Sequence, residues 1–507
     1  MYSLQCADEA HDIVESLRSR GKELSEAMSV HRECVMEVLF ESRIEIESVA
    51  GKLRAIQAQP QYHPEVVVPR DTFVDRAGTS IWGTVLKDGG RYRMWYQPWP
   101  EDWDGRDVSL VGYAESDDGL SWDKKPLGLV DYGPSPNHLC DLGLHCPSVF
   151  VDPQAQSSHR YRAVGCANPG STGIRLRPDQ QRGYYTAHSS DGLHWEYDAE
   201  TPTWQGADTL KSVWHPVQQR GIITLKRSVR YQGFRRRSLW QAECVDGAYA
   251  PAVRALVPDN FDDIRASSGG FASADYYSMS LLPAGAGTVG FVEQFRHALP
   301  RTGGWDTGVF GSTAISLTYQ EERGACWQHA PGRPDFLTPG ALPWAPGGYY
   351  LSSAPVEVGD EHWLYFAGDP TAHGWYLDAE WNRLDRRMAE LVELGLSEIG
   401  MAHFPKYRLF GFESVPEGVL TLDLGPLDSP CELVLNCKTF HDGCIRVEQL
   451  DECDQVYATS QPLAGDHSGV VVTWREGAVI QSGERALRLR FHLETAELWA
   501  YELRPVP

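Results

Sequence analysis

The sequence predicts a mainly β protein: a five-bladed β-propeller followed by a β-sandwich, with an N-terminal α-helical segment. Three observations predict this fold. The motif Ser-x-Asp-Gly-Leu-x-Trp occurs at 116–122 and again at 189–195. From about residue 62, short apolar runs alternate with Gly, Pro and Asp, which is the pattern of many short strands. Residues 8–57, in contrast, contain no Pro and only two Gly. We therefore expect domains at 1–60, 61–411 and 412–507.

The first segment has apolar residues at near-heptad spacing. They are Val14, Leu17, Leu24, Met28, Val35, Val38, Val49 and Ile56. This spacing predicts one long helix or a helical hairpin, although His31, Ser42 and Glu45 interrupt the stripe. An apolar stripe must be covered, either by the body of the protein or by another chain. Pairing of two copies through this segment is the preferred alternative, which predicts a homo-oligomer.

In the middle segment, the first strand of each predicted sheet recurs at a regular interval. Its marks lie 64 to 77 residues apart, at Ser80, Pro147, Lys211, Tyr276 and Ser353. A period of this size that contains strands and no helix predicts propeller blades, and five marks predict five blades. The Asp-Gly of the repeated motif is expected to form a tight turn. The Trp that follows is expected to pack between blades.

After Gly411 the period is lost. Residues 418–451 and 469–505 alternate apolar and polar side chains, as half-buried antiparallel strands do. About 95 residues is a usual size for a β-sandwich, so we expect one here.

Composition limits the partners that this chain can have. Lys and Arg total 46 against 69 Asp and Glu, a net charge of −23. Such an acidic chain is a poor partner for nucleic acid, whereas a neutral sugar is compatible with it. Apolar runs are far shorter than the ~20 residues of a membrane helix, so no membrane partner is expected. The first residues lack a secretory signal pattern, which predicts a cytoplasmic location.

The chain has eleven cysteines, with no Cys-x-x-Cys pair and no Cys/His cluster at zinc-ligand spacing. We expect free, mostly buried thiols in a reducing compartment. The sequence predicts no metal site and no cofactor.

A propeller followed by a sandwich resembles the glycosidase clan that includes arabinanases, xylosidases, invertases and levanases. The stretch YAESDDGLSWDKKPLGLV, at 113–130, looks like the A-x-S-x-D-G-x-x-W-x-x-P stretch frequent in less characterised bacterial members of that clan. LVLNCKTFHDGCIRVEQLD, at 433–451, resembles part of their accessory sandwich. The resemblance covers 62–507 and implies a carbohydrate substrate.

The chain also departs from that clan. Arabinanase-like members carry Asp-Pro at the start of the first inner strand, where this chain has TSIWG. The Arg-Asp-Pro and Glu-Cys of invertase-like members are echoed by Asp152-Pro153 and Glu243-Cys244, which fall at predicted turn positions. The clan's activity is therefore only loosely implied.

Glycosidases need two carboxyl groups across the scissile bond. Four acids lie at or near the starts of predicted inner strands, Asp75, Asp208, Asp275 and Glu293, with Asp71 as an alternative to Asp75. We expect Asp75 to be the base or nucleophile and Asp208 to orient it or tune its pKa. Asp275 or Glu293 is then the acid.

Further side chains near the same strand ends could bind a sugar. The expected polar binders are His145, Lys211, Arg227 and His373. The expected stacking residues are Trp82, Tyr276, Tyr277 and Trp375, for each of which core packing is the alternative.

The leading hypothesis is a glycoside hydrolase. A glycoside phosphorylase on the same scaffold is one alternative, with Lys211, Arg227 and Arg237 as its phosphate site. A non-catalytic carbohydrate-binding or scaffold protein is the other.

Overall fold

The computed structural model describes residues 36–38, 44–46, 52–168, 172–174, 177, 180–206, 208–231, 233–299, 308–374, 393–451 and 453–506. Within these ranges the protein is mainly β, as predicted. The α-helix Asn260–Ser268 begins at an Asp259 cap that accepts hydrogen bonds from the Phe261 and Asp262 amides. The described 3-10 turns are Phe73–Asp75 and Ser157–His159.

Three sheets follow one another along the chain, and neighbouring strands within them are antiparallel. The first sheet contains Gly78–Asp88, Arg91–Trp99 and Gly112–Ser116. The second contains His145–Val151, Tyr161–Ala167, Gly183–Ser189 and Glu196–Tyr197. The third contains Leu210–His215, Arg220–Tyr231, Phe234–Val245, Ala248–Tyr249 and Val253–Leu256. A short parallel pair, Asp107–Val108 with Thr172–Ile174, lies outside them.

The fourth sheet has ten strands. They form two groups that follow one another along the chain and are joined into one continuous sheet. Its main path is Ser273–Ala284, Gly287–His297, Gly311–Gln320, Gly348–Leu351, Glu361–Asp369, Glu398–Pro405 and Gln61–Tyr62. Gln328–His329, Asp335–Leu337 and Val356–Val358 pair with this path. The two groups join at one parallel bridge, Thr313 with Gly348. The early strand Gln61–Tyr62 pairs with Glu398–Pro405 and so ties the start of this region to its end.

The first three sheets and the two groups of the fourth sheet each begin with a first strand. These first strands contact one another in a closed cycle, in which Gly348–Leu351 returns to Gly78–Asp88. Hydroxyl groups join them at the centre. Ser148 Oγ lies 2.7 Å from Ser212 Oγ and 2.6 Å from Ser353 Oγ, and Thr84 Oγ1 donates to Ser353 Oγ at 2.8 Å. Small side chains let several strands approach so closely, and their mutual hydrogen bonds offset the burial of the hydroxyls. Of the predicted first-strand marks, only Ser353 lies outside a strand, just after Gly348–Leu351.

The repeated motif builds the same turn twice. In the first copy Ser116 Oγ accepts the Gly119 amide at 2.8 Å, and Asp118 Oδ1 accepts the Leu120 and Ser121 amides. In the second copy Ser189 and Asp191 make the matching bonds. Both motif glycines have φ near +80°, a conformation that favours glycine. The predicted turn is confirmed.

Each turn also packs against a strand of a neighbouring sheet. Gly119 O accepts the Tyr365 hydroxyl at 2.7 Å, and Gly192 O accepts Trp95 Nε1 at 2.7 Å. The motif Trp122 packs edge-on against the Tyr365 ring, 5.8 Å away. The packing predicted for the motif Trp is therefore confirmed for the first copy.

The C-terminal sheet has ten described strands around its own apolar core. They are Glu37–Val38, Ile44–Ile46, Leu53–Gln57, Phe410–Ser414, Glu417–Leu427, Cys431–Leu450, Val456–Thr459, Asp466–Val471, Val479–Ile480 and Gly483–Pro505. The long strands Cys431–Leu450 and Gly483–Pro505 pair along most of their length.

The helix predicted up to residue 57 is wrong where the structure describes that segment, because Glu37–Val38, Ile44–Ile46 and Leu53–Gln57 are strands. Ile44-Glu45-Ile46 alternates at period two, which suits a strand, and Glu45 is one of the residues that interrupt the near-heptad stripe. Leu53–Gln57 pairs with Phe410–Ser414, and this pairing provides hydrogen-bond partners for backbone N–H and C=O groups of both strands. The rest of the predicted helix lies outside the described residues, and chain pairing through it stays a prediction.

Two further expectations concern chemistry and the membrane. The nine described cysteines are all free and six of them are buried, as expected. Among the described residues, no helix is long and apolar enough to cross a membrane.

Candidate functional site

A pocket lies where the first strands and the loop after Glu361–Asp369 meet. It is a cavity of about 130 Å³, and five of the predicted site residues line it: Trp82, His145, Asp208, Tyr277 and His373. Two further carboxyl groups, Asp107 and Asp369, line the same cavity. The pocket therefore combines carboxyl groups, histidines and aromatic rings, which is the composition of many small-molecule sites.

Asp208 stands just before the strand Leu210–His215. Its φ is +84°, and its amide donates to Cys166 Sγ at 3.1 Å. Its Oδ2 accepts a hydrogen bond from Lys226 Nζ, while its Oδ1 lies 3.9 Å from His145 Nε2. Burial opposes ionisation, but Lys226 and His145 together hold the pKa of Asp208 well below its usual range. Asp208 is therefore an ionised carboxylate, one-third exposed to the pocket.

Asp369 is the last residue of Glu361–Asp369 and precedes Pro370. Its carbonyl accepts the Gly347 amide at 2.8 Å. Its carboxyl group lines the pocket, and none of the described residues forms an ion pair with it. Burial alone raises the pKa of Asp369 well above its usual range. Its environment thus favours the protonated form, opposite to that of Asp208.

A hydrogen-bonded chain runs beside Asp208. Lys226 Nζ lies 3.7 Å from the centre of the Tyr277 ring, and the Tyr277 hydroxyl lies 3.3 Å from His373 Nε2. His373 Nδ1 lies 2.6 Å from the Val309 carbonyl. Burial lowers the pKa of His373 to about 4, so its ring is neutral at pH 7. Because a carbonyl can only accept, Nδ1 carries the proton and Nε2 accepts from the Tyr277 hydroxyl.

Three tryptophans form an aromatic wall of the pocket. The ring centres of Trp82 and Trp99 are 6.1 Å apart, and those of Trp99 and Trp103 are 5.3 Å apart. Trp99 Nε1 donates to Ser80 Oγ at 2.9 Å, and Trp103 Nε1 donates to the Arg106 carbonyl at 2.6 Å. These bonds fix the rings, so the wall is preorganised. Of the three, only Trp82 was predicted from the sequence.

The structure does not bring Asp75, Asp275 or Glu293 to this pocket. The Asp75 side chain is fully buried beside its 3-10 turn, and its carboxylate accepts from Thr72, from Tyr96 Oη at 3.0 Å and from Lys124 Nζ at 2.7 Å. These contacts give it a structural role. Its place near a strand start, the signal used in the sequence, is equally typical of a turn cap.

Asp275 and Glu293 are buried as well. Arg237 Nη1 donates to Asp275 Oδ2 at 2.9 Å, and His297 Nε2 lies 3.3 Å from Asp275 Oδ1. Glu293 Oε1 accepts the Leu351 amide at 2.8 Å and lies 3.9 Å from Lys211 Nζ. Burial raises the pKa of Glu293 and lowers that of Lys211, with each group opposing the shift of the other.

The remaining predicted binders also lie elsewhere. Lys211 is fully buried and donates to the Leu351 carbonyl. Arg227 donates to the Gln205 carbonyl at 3.1 Å and stacks on Trp240. Tyr276 bonds to Asp262 and to His329 Nε2 inside the core. Trp375 lies outside the described residues.

The sequence reasoning missed Asp369, Asp107, Trp99 and Trp103. The Asp-Pro dipeptide at 369–370 was a usable signal, but Asp-Pro was considered only in the first two predicted blades. Asp107 follows the loop after Arg91–Trp99, where no periodic pattern marks it.

One cluster in the pocket wall could hold a metal. His145, Cys146 and Asp208 each offer one ligand atom, and these atoms lie within 4.8 Å of one another. His145 and Cys146 are adjacent in sequence, but only folding adds the third ligand.

A larger cavity of about 450 Å³ adjoins the pocket through Thr371 and Ala372. Its one charged lining residue, Arg296, is engaged by Asp335 and Gln294. It therefore offers no free charged group for chemistry among the described residues.

No protein-family model matches the chain. "Uncharacterized protein MT1551" and "Uncharacterized protein Rv1502", from two strains of Mycobacterium tuberculosis, are each 32% identical over 114 residues, which is 22% of this chain. The match spans 31% of the length of each relative.

The solved structures that align with this chain include several glycosidases. A putative glycosidase from Bacteroides thetaiotaomicron is 11% identical, covers 69% of this chain and 97% of its own, and has a TM-score of 0.43. An exo-beta-1,3-galactanase from Phanerochaete chrysosporium is 9% identical, covers 87% and 100%, and has a TM-score of 0.38. At such scores the likeness carries no argument about activity, so the site itself has to support the function.

Proposed function

We propose that this protein is a glycoside hydrolase whose two working carboxyl groups are Asp208 and Asp369. One observation carries the proposal: the two groups line one pocket in opposite electrostatic environments. Lys226 and His145 stabilise the charge on Asp208, whereas burial disfavours a charge on Asp369. A pair of carboxyl groups with pKa values pushed apart is the requirement for acid–base hydrolysis of a glycoside.

The roles follow from the protonation states. Protonated Asp369 donates its proton to the glycosidic oxygen as the bond to the anomeric carbon breaks. Ionised Asp208 either attacks the anomeric carbon or takes a proton from the attacking water. The stereochemistry of the first product, read by NMR, distinguishes these two routes.

The pocket also favours a particular substrate class. The tryptophan wall offers flat apolar faces on which a sugar ring can stack. Asp107, Asp208 and Asp369 line the cavity with one basic residue, Arg106, which pairs with Asp104, so a neutral sugar suits it better than an anionic one.

The fold proposed for this function is a five-bladed propeller from 61 to 411 with a β-sandwich from 412 to 507. The closed cycle of first strands supports five blades, with the fourth sheet supplying two of them. Gln61–Tyr62 then closes the last blade, as pairing with Glu398–Pro405 allows. The boundary at 411 cuts the strand Phe410–Ser414, so the sandwich includes that whole strand.

The test is hydrolysis of a panel of neutral 4-nitrophenyl glycosides by the full chain. Asp208→Asn and Asp369→Asn should each lower kcat/KM by about 10²–10⁴-fold. An acid is needed only for a poor leaving group, so Asp369→Asn should lose far less activity on 2,4-dinitrophenyl glycosides than on alkyl glycosides. Asp117→Asn, an exposed carboxylate that pairs with Arg91, is the control and should keep full activity.

Other outcomes reject the proposal. Full activity of both variants rejects the assignment of the two carboxyl groups. Turnover that requires inorganic phosphate indicates a phosphorylase, although Lys211, Arg227 and Arg237 do not line the pocket. Sugar binding without any turnover indicates a carbohydrate-binding protein.

A further inference from the structure

The cluster of His145, Cys146 and Asp208 has the dimensions of a zinc site. Ligands bound to tetrahedral zinc at about 2.0–2.3 Å stand about 3.3–3.6 Å apart. Here the ligand atoms lie within 4.8 Å of one another, and His145 Nε2 lies 3.9 Å from Asp208 Oδ1. A small rotation of the side chains would bring all three atoms to coordinating distance.

His145 is oriented as a metal ligand is. Its Nδ1 lies 3.2 Å from the Val108 carbonyl, which can only accept, so Nδ1 carries the proton. Nε2 then faces the cluster, and a metal that binds there displaces any proton on it. A histidine that donates its second ring nitrogen to a carbonyl is the usual arrangement at protein metal sites.

Two of the three ligands stand on unusual backbone. Cys146 has φ +51° and Asp208 has φ +84°, a region of backbone conformation that non-glycine residues rarely adopt. The fold holds both in place, because the Cys146 amide donates to Gln97 Oε1 at 3.1 Å and the Asp208 amide donates to Cys166 Sγ. Such conformations concentrate where a side chain must be aimed at a site.

We propose that His145, Cys146 and Asp208 bind one zinc ion, with its fourth position open to the pocket. A thiolate, an imidazole and a carboxylate suit zinc, whereas Ca²⁺ and Mg²⁺ prefer oxygen ligands alone. Asp208 can coordinate through Oδ1 while Oδ2 keeps Lys226. Because Asp208 is also the proposed base, bound zinc suppresses glycoside hydrolysis, a consequence that rests on the proposed function.

Metal binding can be measured without any substrate. The full chain, stripped with EDTA and dialysed against Zn²⁺ alone, should bind about one ion per chain. With Co²⁺ in its place, a thiolate-to-cobalt charge-transfer band should appear in the near ultraviolet. Cys146→Ser should abolish this band, and Asp208→Asn should weaken Zn²⁺ binding at least tenfold. Cys140→Ser, a buried thiol in the core of the second sheet, is the matched control and should keep both.

Absence of zinc binding, or binding by Cys146→Ser equal to that of the natural chain, overturns the proposal. If Cys146→Ser does not fold, a cobalt spectrum of the natural chain without a thiolate band overturns it equally. Failure here is distinct from failure of the proposed function. If the chain binds zinc through Cys146 but hydrolyses no glycoside, the metal-site proposal stands and the hydrolase proposal is rejected. If it hydrolyses glycosides but binds no zinc, the hydrolase proposal stands and the metal-site proposal is rejected.

Discussion

The ammonium nitrogen of Lys226 lies 3.7 Å from the centre of the Tyr277 ring and also donates to Asp208. One buried cation thus joins an aromatic face to a carboxylate, and both contacts stabilise its charge. Lys226 comes from the third sheet and Tyr277 from the fourth, so the contact ties two sheets together beside the pocket.

Lys226→Met should destabilise the protein by about 1–3 kcal/mol, because it leaves Asp208 without its buried partner. The double variant with Asp208→Asn should be less destabilised than the sum of the two single variants. Urea unfolding of the four proteins measures this coupling. Simple additivity of the two changes would contradict the importance of the ion pair.

The pH dependence of hydrolysis should report Asp369. The acid works only when protonated, so kcat/KM should fall as the pH rises through the raised pKa of Asp369. Asp369→Asn has no proton to lose, and this descending limb should disappear from its profile. A profile of unchanged shape in Asp369→Asn would reject Asp369 as the acid.

The pH dependence of the free energy of unfolding should also report the titration of Asp369. The folded protein holds the Asp369 proton to higher pH than the unfolded chain does, since the folded pKa is the higher one. The free energy of unfolding contributed by this group is therefore present below the usual aspartate pKa and is lost as the pH rises through the raised one. Urea unfolding across this window should show less of this decline in Asp369→Asn than in the natural chain.

Gly192 of the repeated turn and Gly324, a glycine of positive φ outside it, allow a matched pair of substitutions. At Gly192 an added Cβ would lie 2.7 Å from Trp95 Cζ2, whereas at Gly324 it would meet nothing within 4 Å. Both residues have positive φ, so both alanine variants carry the backbone cost of about 1–2 kcal/mol. Gly192→Ala should cost about 1–3 kcal/mol more, because the new methyl group overpacks the sheet contact. Equal losses of unfolding free energy in the two variants would mean that the close packing of Gly192 against Trp95 contributes nothing to stability.

Asp75→Asn separates a structural role from the catalytic role that its sequence position suggested. We expect a loss of about 1–3 kcal/mol of unfolding free energy, because the amide cannot satisfy Lys124, Tyr96 and Thr72 as the carboxylate does. The folded variant should keep kcat/KM within a few-fold of the natural value. A loss of 10²-fold or more with an intact fold would restore Asp75 as a catalytic residue.

Five predicted residues line the pocket, and for four of them the reason lies in the repeat. Trp82, His145, Asp208 and Tyr277 all stand at or near the start of a first strand, and the strand starts meet around one centre. The regular spacing of these strands was therefore informative about which chain segments converge. It was less informative about individual side chains, because Tyr276 and Tyr277 are neighbours and only Tyr277 faces the pocket.

The sequence by itself determined the strand-rich fold, the two Asp-Gly turns and the set of segments that meet at the site. These features depend on local preferences and on a repeat, which are both visible in one dimension. Only the tertiary structure decided which carboxyl groups share the pocket and which are neutralised inside the protein. A one-residue change of register turns a side chain to the other face of a strand, and burial beside Lys124, Arg237 or Lys211 depends on contacts far apart in sequence. For the same reason, the third ligand that joins His145 and Cys146 could be found only in three dimensions.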